Sequence, residues 1–82
     1  MSEHDDASVN ELSPVERRVV QELVDERLEA WCDVVLIDER TWAIRGSVAY
    51  EGEVILAEFA TREIAILALE TLAAASPGIS VR

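Results

Sequence analysis

The run Ile64-Ala65-Ile66-Leu67-Ala68-Leu69-Glu70-Thr71-Leu72-Ala73-Ala74-Ala75 has only Glu70 and Thr71 as polar members, and it constrains the fold more than any other stretch. A helix that is apolar nearly all round must be covered on more than one side. Its boundaries are readable. Thr61 is a suitable N-cap and Ser76-Pro77-Gly78 a stop, so the sequence predicts a helix from Arg62 to about Ala75.

A second helix is signalled upstream by Ser13-Pro14-Val15-Glu16. Serine as N-cap, proline in the first turn and glutamate three residues after the cap form a capping box. The apolar positions Val15, Val19, Val20, Leu23, Val24, Leu28 and Trp31 then continue at helical spacing, so the helix is expected to run from Pro14 to about Ala30. Projected at 100° per residue, these side chains cover an arc of roughly 220°, wider than one sheet face conceals.

Between the two helices the period changes from helical to alternating. Cys32 to Ile37 is a short run rich in β-branched residues that ends at Asp38-Glu39-Arg40-Thr41. Trp42 to Tyr50 alternates, with Trp42, Ile44, Gly46, Val48 and Tyr50 on one face and Ala43, Arg45, Ser47 and Ala49 on the other. Glu51-Gly52 is expected to turn the chain, and Glu53 to Phe59 to return as a third strand with Glu58 opposite Arg45. Gly46, inside a strand, marks a bulge or a close approach by a packed element. The expected fold class is therefore α+β: a two-layer α-β-β-β-α arrangement with a three-stranded antiparallel sheet packed on helices, and a short C-terminal strand at Ile79 to Arg82.

Residues 1–12 contain four acids, one histidine and few large apolar groups, a composition that does not offset the entropy of ordering a backbone. They are expected to be a disordered acidic tail, with residues 13–82 forming a single small domain. A domain of this size buries only about 60% of its unfolded surface. Disulfides within the chain cannot add stability, because Cys32 is the only cysteine. The opening MSEHDDASVNELS has no basic segment followed by an apolar one, and no stretch offers eighteen uninterrupted apolar residues. A soluble cytoplasmic protein is expected.

Seventeen Asp and Glu face seven arginines and no lysine, for a net charge of −10. Residues 1–13 hold four of the acids and no arginine, whereas from Thr61 onward two acids balance two arginines. Such a surface repels the phosphates of nucleic acid and anionic lipid. The α-β-β-β-α order also occurs in double-stranded RNA-binding domains, but their basic start to the last helix has no counterpart in Thr61-Arg62-Glu63-Ile64, so element order alone carries no activity here. The acid excess equally suits solubility in a salty cytoplasm.

Candidate chemistry is sparse. The only histidine, His4, lies in the expected tail, so neither Cys32 nor a serine has an ordered histidine as a base. Cys32, opening an apolar strand, reads as a small buried hydrophobe. Gly46, Gly52 and Gly78 are isolated and form no phosphate loop. One cysteine, one histidine and scattered carboxylates give no zinc spacing, and His4-Asp5-Asp6 reads as a solvated acidic tail. No enzyme activity, cofactor, metal or catalytic residue is expected.

What remains is contact between proteins. The excess apolar arcs of the two helices, represented by Val20, Val24, Leu28, Trp31, Ile66, Leu69 and Ala73, form the expected protein interface, joining two copies as a homodimer. The expected function is that of a small regulatory or adaptor protein docking a basic partner, with Glu22, Asp25, Glu26 and Glu29 steering encounter. The alternatives are an inhibitor that imitates nucleic acid in a basic cleft and, lower in order, a transcription-related nucleic-acid-binding module using Arg17 and Arg18.

Overall fold

The computed structural model describes residues 12–82. The element order is α1 (Pro14–Glu26), β1 (Ala30–Asp38), β2 (Thr41–Val48), β3 (Gly52–Phe59), α2 (Arg62–Ala75) and β4 (Ile79–Val81). The fold is α+β, with two helices and a four-stranded mixed sheet in the order β3-β2-β1-β4. Strands β1, β2 and β3 form an antiparallel meander, and β4 adds to the outer edge of β1 in parallel. Because β3 and β4 occupy opposite edges, the intervening α2 must cross the whole sheet, and it contacts every strand.

Both helices begin where the capping residues place them. In α1 the Ser13 amide donates to Glu16 Oε1 at 2.7 Å, and the Glu16 amide donates to Ser13 Oγ at 3.2 Å. In α2 the Ile64 amide donates to Thr61 Oγ1 at 3.1 Å. Each cap satisfies backbone donors that have no partner inside the helix. The end of α1 differs from the expected Ala30. The helix stops at Glu26 because Arg27 adopts a left-handed conformation, φ 54°, from which its amide donates to the Val24 carbonyl. Leu28 and Glu29 then lead directly into β1, so Trp31 belongs to a strand.

Gly78 fixes that junction. The Ala30 amide donates to the Gly78 carbonyl at 3.0 Å, and a Cβ on Gly78 would lie 2.5 Å from the Leu28 carbonyl oxygen. The α2–β4 turn can approach the α1–β1 link this closely only without a side chain.

One core gathers Val20 and Leu23 of α1, Cys32 and Ile44 of the sheet, and Ala65, Ala68, Leu69 and Leu72 of α2. Leu12, expected to belong to the tail, is buried in this core. The rest of the expected tail, residues 1–11, lies outside the described residues, as does His4-Asp5-Asp6. Helix α1 packs on α2, and α2 in turn packs on the sheet. That double contact accounts for the nearly continuous apolar surface of α2.

Two register shifts refine the meander. Leu56 is unpaired between Ile55, opposite Arg45, and Ala57, opposite Ile44. This bulge carries Leu56 to the helix side, where a Cβ on Gly46 would lie 3.0 Å from its Cδ1. Gly46 therefore makes room for a side chain of the adjacent strand. Near the first hairpin, Leu36 pairs with Trp42 and Asp38 with Thr41, leaving Ile37 unpaired. The second hairpin turns over Ala49-Tyr50-Glu51, with the Glu51 amide donating to the Val48 carbonyl at 3.2 Å. Tyr50 is fully exposed at φ 73°, so it has left the strand instead of sharing the face of Trp42.

Candidate interaction surface on the open face of the sheet

The ladder assigns each strand residue to a face, since directly paired side chains project to the same side. Ala30, Cys32 and Val34 pair with Val48, Gly46 and Ile44 and meet the helices. The opposite face has no helix over it among the described residues. Across that face run three rows: Trp31-Ser47-Glu53, Asp33-Arg45-Ile55 and Val35-Ala43-Glu58. Ser80 of β4 extends the first row beyond Trp31.

Large apolar side chains stand on this open face. Trp31 is 57% exposed and Ile55 45%, with Val35 half-buried in the third row. Ala43 is fully buried although it belongs to the same face, as expected for a lone methyl group among longer neighbours. Beside Trp31 is an open depression of about 310 Å³, lined by Glu29, Ser47, Ser80 and Gly78.

Arg45 organises the centre. Its Nε donates to Asp33 Oδ1 at 3.1 Å and its Nη2 to Asp33 Oδ2 at 2.8 Å, a two-pronged pairing of planar groups. Its Nη1 also lies 3.7 Å from Glu53 Oε1. The hydrogen bonds to Asp33 come first among the causes that hold the guanidinium pKa above its ordinary value. The partner expected from sequence was Glu58. The hairpin register instead sets Ile55 opposite Arg45 and, past the bulge at Leu56, Glu58 opposite Ala43, and Arg45 turns to the other side for Asp33.

The residues expected to form an interface divide into three groups. Val20 and Leu69 are only 4% and 3% exposed and belong to the core of a single chain. Val24, Leu28, Ile66 and Ala73 are half-buried; all but Ile66 pack against that core, and Ile66 lines a surface depression with Val34, Leu69 and Val81. Trp31 is exposed, but on the face of the sheet remote from the helices. The apolar arcs of α1 and α2, which suggested the interface, thus largely cover each other. Sequence reasoning missed Ile55 and the Asp33–Arg45 pair. Alternation in β3 was the available signal for Ile55, whereas nothing local signals the ion pair.

The remaining reactive groups are placed as follows. Cys32 is wholly buried beneath α2, and burial, with a smaller push from the Asp33 carboxylate, raises its thiol pKa against an opposing effect of Arg82. A raised pKa keeps it a thiol. A depression of about 530 Å³ lies between the end of α1 and the 76–78 turn, with Asp25, Arg27 and Glu29 at its wall. Ser76 borders it, its hydroxyl buried without a hydrogen-bond partner among the described residues. No group of three metal-ligating side chains occurs among the described residues, and none of their helices is long and apolar enough to cross a membrane. Comparison with protein-family models, curated proteins and solved structures found no match to this chain.

Proposed function

We propose that this chain is a small, non-enzymatic regulatory or adaptor protein of the cytoplasm that acts by contact with another protein through the open face of its sheet. The observation that carries the reading is the uncovered Trp31 and Ile55 on either side of the Arg45–Asp33 pair. A large aromatic ring surrounded by polar neighbours is the kind of side chain that anchors protein contacts. The helix side offers less, because apart from the exposed Val15 its apolar arcs are largely turned toward each other.

A homodimer is the second reading, supported by the same exposed apolar groups. It would have to form through the sheet, and two copies of net charge −10 repel each other at low salt. The nucleic-acid mimic has weaker support. Asp33 is engaged by Arg45 and Glu53 lies close to it, which leaves Glu58 as the remaining carboxylate in these three rows.

The test is site-specific photocrosslinking in cells, with the reactive group at Ile55 on the sheet or at Glu22 on the outer side of α1. A discrete adduct with another protein from position 55, absent from position 22, is the expected result. Adducts from position 22 alone would contradict the reading.

A further inference from the structure

The depression beside Trp31 has a chemical character that the rest of the face does not. Its floor is built from small residues, Ala49 and Gly78 among them, with Ser47 and Ser80 on either side of the Trp31 strand position, and Glu29 stands at its edge. Glu53 lies one strand further along the same row. The Arg45 guanidinium is held by Asp33 and approached by Glu53 of its own chain, and Arg82, just past β4, lines a separate depression with Asp33 and Arg62, so no arginine lines the depression beside Trp31. What the depression offers a partner is therefore an indole surface with the Glu29 carboxylate beside it. The volume, about 310 Å³, is at the lower end of ligand-pocket sizes and suits one long side chain.

Resting on the contact surface read above, we propose that the depression receives an arginine or lysine side chain of a basic partner protein, with the cation over the Trp31 ring and the Glu29 carboxylate beside it. The ring quadrupole attracts a cation placed over its face, and a nearby carboxylate adds to that attraction. The chain's overall negative charge steers such a partner toward it and a second copy away.

The experiment uses three synthetic peptides with the same valine and leucine frame, carrying arginine, the neutral isostere citrulline, or glutamate. Each is titrated into the full chain and followed by amide chemical shifts, in the wild type and in Trp31→Ala, Glu29→Gln and Glu22→Gln. The arginine peptide is expected to shift the amides of Trp31, Ser47 and Ser80 and to bind the Trp31→Ala variant about tenfold more weakly, the size of a partly desolvated cation–ring contact. Glu29→Gln is expected to weaken binding a few-fold, and Glu22→Gln, on the far side of the molecule, to leave it unchanged. Equal binding of the arginine and citrulline peptides, both lost in Trp31→Ala, would overturn the cation site while leaving the open face as a contact surface. Absence of binding by the arginine peptide, or binding that is spread over the chain and indifferent to Trp31→Ala, would overturn both. A dimer that forms with concentration and disappears in Trp31→Ala would assign the face to a second copy and overturn the inference.

Discussion

The two faces of the sheet carry similar apolar side chains, and only one of them is filled. On the helix side, Cys32, Ile44, Ala57 and Phe59 are buried beneath α2, which is itself covered by α1. On the open side, Trp31 and Ile55 stand among Asp33, Arg45, Glu53 and Glu58. Apolar surface on the first face is removed from water within one chain and contributes to stability. On the second face it contributes little until something else covers it. The difference separates the residues that hold the fold from those that are free to do something with it.

Substitution should sort the two faces by size of effect. Leu72→Ala, at a fully buried position, is expected to cost about 3 kcal/mol in urea unfolding, whereas Ile55→Ala should cost less than about 1 kcal/mol. Equal costs would mean that the open face is packed in solution. Gly78→Ala comes next, because its new methyl group would meet a backbone carbonyl that no rotamer change can move. A loss of about 2 kcal/mol is expected, measured the same way. No loss would show that the α1–β1 link is not held against the 76–78 turn.

Smaller effects belong to the loops at the ends of the strands. Tyr50→Gly removes a bulky residue from a left-handed position where it makes no packing contact to lose, and should stabilise the protein by about 1 kcal/mol. Asp38 accepts a 2.8 Å hydrogen bond from the Arg40 amide, which with Thr41 lowers its pKa from the ordinary carboxylate value. A lowered folded-state pKa means that its contribution is complete above about pH 4 and is lost as pH falls through the lowered value. The difference in urea midpoint between wild type and Asp38→Ala should therefore be constant from pH 7 to about pH 5 and shrink below about pH 4. A difference that persists to pH 2 would assign the effect to packing.

How far the sequence could be read follows the range of the interactions. Ser13, Pro14, Glu16 and Thr61 act within one helical turn, so both helix starts and the whole of α2 were legible. The end of α1 was not. Arg27 adopts a conformation usually signalled by glycine or asparagine, and Leu28 and Trp31 happen to continue the helical spacing into β1. The alternation of β2 identified its two faces, yet it could not show that α1 and α2 would cover each other. That pairing turns an expected external patch at Val20 and Leu69 into core. The Asp33–Arg45 bond depends on the pairing of two strands, and Glu58 is set opposite Ala43 by the bulge at Leu56. Such register is a property of the assembled sheet.

The two tryptophans report on the two faces separately. Trp31 is on the open side, and Trp42 is half-buried against the core on the helix side. Acrylamide quenching of the Trp42→Phe and Trp31→Phe variants, each with one tryptophan left, tests the contrast most directly when repeated over a wide range of protein concentration. Strong quenching of Trp31 at every concentration and weaker quenching of Trp42 are expected. A Trp31 as protected as Trp42 in the isolated protein would mean that the face is already covered, and would contradict its assignment as the surface left open for a partner.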